Sequence, residues 1–122
     1  WLEKKLNDKN VNVYIFESKF GSIGQVRFEK KGQKVIIDYS ISKKFRGFGL
    51  GELILKKAIQ KNRQYLHFEA HVKANNLASS KTFLKLGFTK LRENQNKITF
   101  ILKIKKKNRN KNEYINFSST SR

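Results

Sequence analysis

The motif RGFGLG at residues 46–51 joins a strand-like segment to a helix-like segment. Before the motif, apolar and polar side chains alternate over residues 35–42, which is the pattern of a β-strand. After it, apolar residues recur at i, i+3, i+4 and i+8 from Leu50 to Ala58, as on the buried face of a helix. We therefore predict a strand at residues 35–42 and a helix at residues 49–62.

The place of the motif at the start of a helix suggests a use for its glycines. A helix N-terminus presents free backbone N–H groups and a partial positive charge, and glycines let a phosphate approach them closely. Arg46 adds a cationic donor, as do Lys43 and Lys44 just before it. The motif lacks the GK[S/T] ending of a Walker A loop and the spacing of a dinucleotide-binding turn. It therefore predicts either a pyrophosphate-binding turn or an ordinary strand-to-helix connection.

The same two periodicities predict the other elements. They are the end of a helix at residues 1–6, strands at residues 11–15, 23–29, 65–72, 88–92 and 97–104, and a helix from Asn75 or Asn76 to Leu86. Gly24 marks a possible bulge in the second strand. The strand–helix–strand unit around the motif predicts one parallel strand pair with a right-handed crossover. The chain thus reads as a mixed α/β domain at residues 1–104 and a basic, flexible tail at residues 105–122.

The composition limits the class of protein. The 122 residues suffice for one domain, and the absence of cysteine excludes disulfide scaffolds, cysteine-ligated metals and thiol nucleophiles. No apolar run approaches the roughly 18 residues of a membrane span, so we predict a cytoplasmic protein that does not cross a membrane. The net charge of +19 suggests a nucleic-acid partner. However, the basic residues are spread along the chain and most aromatics fall at core positions, so we predict no specific nucleic-acid binding.

A second motif follows the strand at residues 65–72. It begins with NLAS at residues 76–79 and is completed by KLGF at residues 85–88. Together the two motifs resemble the signatures of the GNAT (Gcn5-related) N-acetyltransferase superfamily, Q/R-x-x-G-x-G/A and N-x-x-S followed by K-L-G-F. The matching residues are Arg46, Gly49, Gly51, Asn76, Ser79 and residues 85–88. The resemblance covers residues 1–104 and implies the GNAT fold, and we expect the chain to lack that fold's first strand and helix.

The resemblance implies an acetyl-CoA-dependent N-acetyltransferase that acts on a primary amine. In this family the strand before the glycine-rich turn splays from the strand after the central helix, and acetyl-CoA lies in the opening. The implied cofactor-binding residues are Ile41, Ser42, Arg46, Gly47, Phe48, Gly49, Leu50, Gly51, Asn76 and Phe83. No metal is implied, because His67 and His71 on one strand lie roughly 13 Å apart, too far to share an ion.

The reaction needs a base for the amine and an acid for the departing thiolate. The candidate bases are Asp38, Glu69 and His71. The alternative explanation for these three residues is a polar, solvated strand face without a catalytic role. Many family members have a tyrosine where this chain has Phe83, and phenylalanine cannot donate a proton. The acid is therefore Tyr39, Ser79, water or no dedicated group, and a catalytically degenerate CoA-binding domain is the alternative.

A weaker resemblance favours one chemical class of acceptor. The segments GQVRF at residues 24–28 and DYSI at residues 38–41 look like GNAT domains of bacterial amino-sugar nucleotide pathways of the pseudaminic or legionaminic acid type. A basic cleft suits such an acceptor and disfavours polyamines and aminoglycosides, which are cations. Protein N-termini and small amines remain alternative acceptors. We expect a monomer or homodimer, or a domain that is fused to or follows an upstream segment.

Overall fold

The computed structural model of this chain describes residues 2–7, 10–106 and 115–116. Its main strands are β1 (Leu2–Asn7), β2 (Val11–Ser18), β3 (Gly21–Lys31), β4 (Lys34–Ile41), β5 (His67–Lys73), β6 (Thr89–Glu93) and β7 (Lys97–Lys103). They form one mixed sheet in the order β1-β2-β3-β4-β5-β7-β6. Two helices, α1 (Leu50–Gln60) and α2 (Leu77–Lys85), complete the predicted mixed α/β architecture, and a 3₁₀ turn at Lys43–Phe45 precedes α1.

The prediction of a helix end at residues 1–6 is wrong. Leu2–Asn7 forms the strand β1, which pairs antiparallel with β2 from Leu2 opposite Glu17 to Asn7 opposite Asn12. The 6 residues of β1 are too few to distinguish a helical from an alternating pattern. The hydrogen-bonding edge of β2 decides the matter, because an unpaired strand edge is a template for another strand.

A bulge interrupts the pairing of β2 with β3 beside Gly24, close to where the sequence predicts one. Phe16 lies opposite Gly24, but the next residue, Glu17, lies opposite Ser22, so Ile23 is the extra residue of β3. A Cβ atom on Gly24 would collide with the carbonyl oxygen of Ser40 on β4. Glycine is therefore required for the close approach of the two strands.

The strands β4 and β5 are the predicted parallel pair around α1, and they pair over a short length. Val35 lies opposite Phe68 and Ile36 lies opposite Glu69, and no further pair joins the two strands. Beyond Ile36, residues 37–41 of β4 and residues 70–73 of β5 have no register with each other. The two strands thus diverge into an opening of the kind that the family resemblance implies.

Both helices cover the same face of the sheet. On α1 the buried side chains are Ile54, Leu55, Ala58 and Ile59, and on α2 the buried one is Phe83. Phe83 packs edge-to-face on Phe88 and stacks on Phe100 of β7. The Asn62 amide, just after α1, donates a hydrogen bond to the Tyr14 hydroxyl of β2. We call this side of the sheet the helix face.

The other side of the sheet, here called the open face, carries no helix among the described residues. Its members follow from the strand register, which places Arg27 opposite Asp38, Ile36 opposite Glu69, and His71 opposite Thr99. Glu69 and Thr99 are buried on this face without a helix above them. The open face therefore holds buried polar groups next to the opening between β4 and β5.

The chain leaves the sheet after β7. Two short strands, β8 (Lys105–Lys106) and β9 (Ile115–Asn116), pair antiparallel with each other. Of the predicted tail, residues 107–114 and 117–122 lie outside the described residues, so its flexibility stays a prediction. Among the helices that the structure describes, none has the length and apolarity needed to cross a membrane.

Candidate active site

The turn between β4 and α1 is shaped by two glycines in the left-handed region. Gly47 has φ +85° and Gly49 has φ +73°, conformations that side chains with a Cβ atom rarely adopt. Gly49 is also the N-cap of α1, without a side-chain cap. Within the described chain, the N–H groups of residues 47–49 donate to no acceptor. The turn therefore presents free donors at the positive end of a helix, as an anion requires.

Arg46 and Gly51 hold this turn against β4. The Arg46 Nε donates a hydrogen bond of 2.9 Å to the carbonyl oxygen of Ile41, at the end of the strand. A Cβ atom on Gly51 would lie 2.8 Å from the Cε2 atom of the Tyr39 ring. Gly51 is therefore required because α1 rests on Tyr39, whereas Gly47 and Gly49 are required by their backbone angles.

One edge of β4 faces the opening without a strand partner. On its other edge β4 pairs with β3 up to Ile41 opposite Gly24, and the Ser42 N–H donates to the carbonyl oxygen of Ile23. Toward β5, residues 37–41 have no paired strand among the described residues. An extended ligand can therefore add to this edge by main-chain hydrogen bonds, as an additional strand does.

The N-terminus of α2 lies across the opening from α1. The Asn76 side chain is the N-cap of α2 and accepts a hydrogen bond of 3.1 Å from the Ser79 N–H. The Ser79 hydroxyl lies 2.9 Å from the Tyr39 hydroxyl of β4. Phe83, one turn later, is only 2 % exposed and lies under the Tyr39 ring. Asn76 is exposed, whereas Phe83 belongs to the aromatic core.

Glu69 and His71 form a buried-to-exposed cluster on the open face. The Glu69 Oε2 lies 2.9 Å from the His71 Nε2, and the Glu69 Oε1 accepts a hydrogen bond of 3.1 Å from the Lys34 Nζ. The Thr99 hydroxyl lies 3.4 Å from the His71 Nδ1. A carboxylate only accepts hydrogen bonds, so the His71 Nε2 carries the proton and Nδ1 is the acceptor of the neutral ring.

Two opposing influences act on the Glu69 carboxyl. Burial raises its pKa, but the hydrogen bond and charge of Lys34, with the charges of His71 and Arg92, lower it further than burial raises it. The net pKa of Glu69 lies below the ordinary value of 4.5. Glu69 is therefore an anion at neutral pH and a poor proton acceptor, better suited to orienting His71 than to taking a proton itself.

Asp38, the third candidate base, lies on the other arm of the opening. It is exposed, it shares the open face with Glu69, and its register partner on β3 is Arg27. Arg27 is itself paired with Glu29 at 3.4 Å. Among the described residues no group of three His, Cys, Asp or Glu side chains could hold a metal ion.

The comparison with known families decides the identity of this chain. The sequence profile of the acetyltransferase (GNAT) domain matches residues 1–102. The chain belongs to the GNAT acetyltransferase family. This GNAT domain is an N-acetyltransferase, and acetyl-CoA is its acetyl donor. No protein with a curated description matches it in sequence.

Solved structures share the fold at low sequence identity. A mutant of the spermidine N-acetyltransferase SpeG from Vibrio cholerae is 13 % identical with a TM-score of 0.71, covering 80 % of this chain and 68 % of its own. Campylobacter jejuni N-acetyltransferase PseH, in complex with acetyl coenzyme A, is 16 % identical with a TM-score of 0.68, covering 79 % and 70 %. The putative streptothricin acetyltransferase of Bacillus anthracis, also with acetyl coenzyme A, is 24 % identical with a TM-score of 0.69, covering 82 % and 66 %. The GNAT domain is thus similar in fold to acetyltransferases with unlike acceptors.

The predicted donor-binding residues of the GNAT domain suit acetyl-CoA. The free N–H groups of residues 47–49 suit a pyrophosphate, with Lys43 and Lys44 of the 3₁₀ turn nearby as counter-charges. The open edge at residues 37–41 suits the amide-bearing pantetheine arm. When bound, acetyl-CoA supplies an activated acetyl thioester.

Sequence reasoning missed two residues of the cluster. Neither sequence motif includes Lys34 or Thr99, yet these residues contact Glu69 and His71 respectively. Lys34 lies two residues before Ile36 on the same face of β4, and this position predicts its contact with Glu69. This prediction becomes usable only once the register of β4 with β5 is known.

Proposed function

We propose that this GNAT domain acetylates the primary amine of an acceptor that carries negative charge, such as a nucleotide-linked amino sugar. The observation that carries the proposal is the charge of the open face around the opening. By strand register, this face on strands β3 to β7 holds the basic residues Arg27, Lys31, Lys34, Lys73, Arg92, Lys97 and Lys103 and the acidic residues Glu29, Asp38 and Glu69. Two of the three carboxylates are already paired with cations, Glu29 with Arg27 and Glu69 with Lys34.

This balance of charge favours an anionic acceptor over a polycation. A polyamine needs unpaired carboxylates near the reacting centre, because like charges repel across a low-dielectric site. Of the three carboxylates, Asp38 alone lacks an ion pair within the described chain. The segments at residues 24–28 and 38–41, which resemble domains of amino-sugar nucleotide pathways, favour the same acceptor class.

We further propose that His71 accepts the proton of the amine and that Glu69 positions it. Imidazole is the side chain best matched to proton exchange near neutral pH, whereas the lowered pKa of Glu69 makes that carboxylate a weak base. The 3.4 Å contact with Thr99 is at the long limit of a hydrogen bond, so the His71 Nδ1 keeps acceptor capacity. His71 lies two residues beyond Glu69, the last residue of β5 that pairs with β4, where the opening begins.

An acetylation assay on the full chain tests the acceptor class. A UDP-linked amino sugar, the same amino sugar without the nucleotide, spermidine and a peptide with a free N-terminus are compared through release of coenzyme A. We expect kcat/KM to be highest for the nucleotide-linked sugar, with the uncharged sugar at least about tenfold lower, which corresponds to roughly 1.4 kcal/mol of lost binding. A preference for spermidine would overturn the proposed acceptor class and leave the acetyltransferase activity standing.

Variants of the same chain test the base. We expect His71→Asn to lower kcat/KM by about 10²–10⁴-fold, the usual contribution of acid–base catalysis. Glu69→Gln is expected to shift the pH profile as well as lower the rate, because it changes the partner of His71. Asp38→Asn is the comparison on the other arm of the opening. A larger loss for Asp38→Asn than for His71→Asn would reverse the assignment of the base.

A further inference from the structure

The Tyr39 hydroxyl lies at the opening and takes no part in the proton transfer proposed for His71. Tyr39 belongs to β4, three residues beyond Ile36, the last residue of β4 that pairs with β5. Its side chain points to the helix face, where its hydroxyl lies 2.9 Å from the Ser79 hydroxyl and its ring packs edge-to-face on Phe83. Glu69 and His71 occupy the open face, so Tyr39 and the proposed base stand on opposite sides of the sheet.

Two helix N-termini meet at this hydroxyl. Gly51 lies in the first turn of α1, and a Cβ atom on it would lie 3.5 Å from the Tyr39 hydroxyl oxygen. Ser79 lies in the first turn of α2. The N-terminus of a helix carries a partial positive charge and stabilises an anion. Negative charge that develops beside Tyr39 is therefore favoured by both helices.

The acetyl transfer produces such a charge on the sulfur of coenzyme A. As the amine nitrogen forms its bond to the acetyl carbon, the C–S bond breaks and its electron pair passes to sulfur. We propose that the Tyr39 hydroxyl, held by Ser79, donates its proton to this sulfur and so releases coenzyme A as the thiol. The proton that the amine loses passes to the base on the open face, and solvent restores the Tyr39 proton.

This assignment rests on the proposed function, since it needs a thioester in the opening, and it accounts for Phe83. Phe83 has no proton to give, and it is buried between Tyr39, Phe88 and Phe100. Instead it supports the Tyr39 ring from below. Tyr39 is thus a catalytic residue by this proposal, and Ser79 is a positioning residue that fixes the direction of the Tyr39 hydroxyl.

Titration of the bound coenzyme A thiol tests the proposal without any acceptor. Ultraviolet absorbance of the thiolate follows the thiol pKa when coenzyme A is bound to wild type or to Tyr39→Phe. Removing the hydrogen bond and leaving the ring in place should raise the thiol pKa in the variant by about one unit, a tenfold change in the equilibrium. Tyr65→Phe, a half-buried tyrosine that packs on Phe68 away from the opening, is the matched control and should leave the thiol pKa unchanged.

Turnover gives the second readout. Tyr39→Phe should lower kcat by about 10²–10⁴-fold with little change in KM for acetyl-CoA. Ser79→Ala should lower kcat by a smaller factor, and Ser79→Thr should restore it because the hydroxyl returns. Melting temperatures confirm that each variant folds.

The outcomes separate the two proposals. An unchanged thiol pKa together with an unchanged kcat in Tyr39→Phe would overturn the role of Tyr39, whatever the acceptor. Wild type that binds coenzyme A but acetylates no amine would overturn the proposed function, and the thiol titration would still decide whether Tyr39 reaches the sulfur. Wild type that fails to bind coenzyme A would overturn both.

Discussion

Replacing Lys34 with methionine measures how much the ion pair with Glu69, a buried residue of the open face, contributes to stability. Lys34 donates a hydrogen bond of 3.1 Å to Glu69, whose side chain is only 6 % exposed. Methionine keeps most of the length and apolar contact of lysine and removes the charge. The matched control is Lys90→Met, because Lys90 makes a shorter contact of 2.7 Å to Glu93 with both side chains about half exposed. The two substitutions separate the effect of burial from that of distance.

The expected cost follows from the exposure of each partner. A hydrogen bond to a charged group contributes about 1.5–3 kcal/mol when it is shielded from water. The Lys34 side chain is 39 % exposed, which weakens the interaction through solvent screening, and His71 still contacts Glu69 in the variant. We therefore expect Lys34→Met to lower the free energy of unfolding by about 1–2 kcal/mol. Lys90→Met should cost about 0–0.5 kcal/mol, as exposed pairs do.

The pH dependence gives an independent check. Because the pKa of Glu69 is lowered in the folded chain, the pair stabilises the fold above the ordinary value of 4.5 and loses this effect as the pH falls through the folded value. Urea unfolding near neutral pH and again in acid, well below 4.5, should show the cost of Lys34→Met shrinking toward zero. A cost no larger than that of Lys90→Met, or one that persists unchanged in acid, would refute the reasoning.

Three further substitutions test the turn and the packing around it. Gly49→Asp places a carboxylate where the donor phosphates are expected to bind, and calorimetry should show coenzyme A affinity at least about tenfold weaker, a loss of roughly 1.4 kcal/mol. Its control is Gly32→Asp, since Gly32 has a similar φ of +63° in the β3–β4 hairpin, and equal affinity for the two variants would contradict the turn assignment. Gly51→Ala normally stabilises a helix, but here the new Cβ atom meets the Tyr39 ring at 2.8 Å, so thermal unfolding should instead show a loss of about 1–3 kcal/mol. Phe83→Ala should cost about 3–5 kcal/mol in urea unfolding because the side chain is buried, whereas Phe20→Ala, at 67 % exposure, should cost little.

Features that depend on neighbouring residues were predictable from the sequence. Gly47 and Gly49 indicate left-handed backbone angles, because other residues rarely adopt them. Asn76 was predictable as a helix cap, since an asparagine side chain accepts from an N–H group three residues later. The alternating and helical periodicities likewise depend on residues a few positions apart. They predicted α1, α2 and the strands β2 to β7, but not the short strands β8 and β9.

The prediction of a helix at β1 was wrong because it, too, relied only on neighbouring residues. A segment as short as Leu2–Asn7 holds too few residues to show its period, and its partner β2 determines its structure through main-chain hydrogen bonds. Local pattern carries no information about that partner.

The composition of the site was decided by tertiary structure. Lys34 meets Glu69 across 35 positions of sequence, and Tyr39 meets Ser79 across 40. Both contacts require the parallel register of β4 with β5, together with the packing of α1 and α2 on the helix face. That register places Glu69 and His71 on the open face of the sheet, whereas Tyr39 lies on the helix face. Sequence spacing could name these residue types as candidates, but only the pairing of distant strands, where side chains of one parity share a face, assigns each to its side.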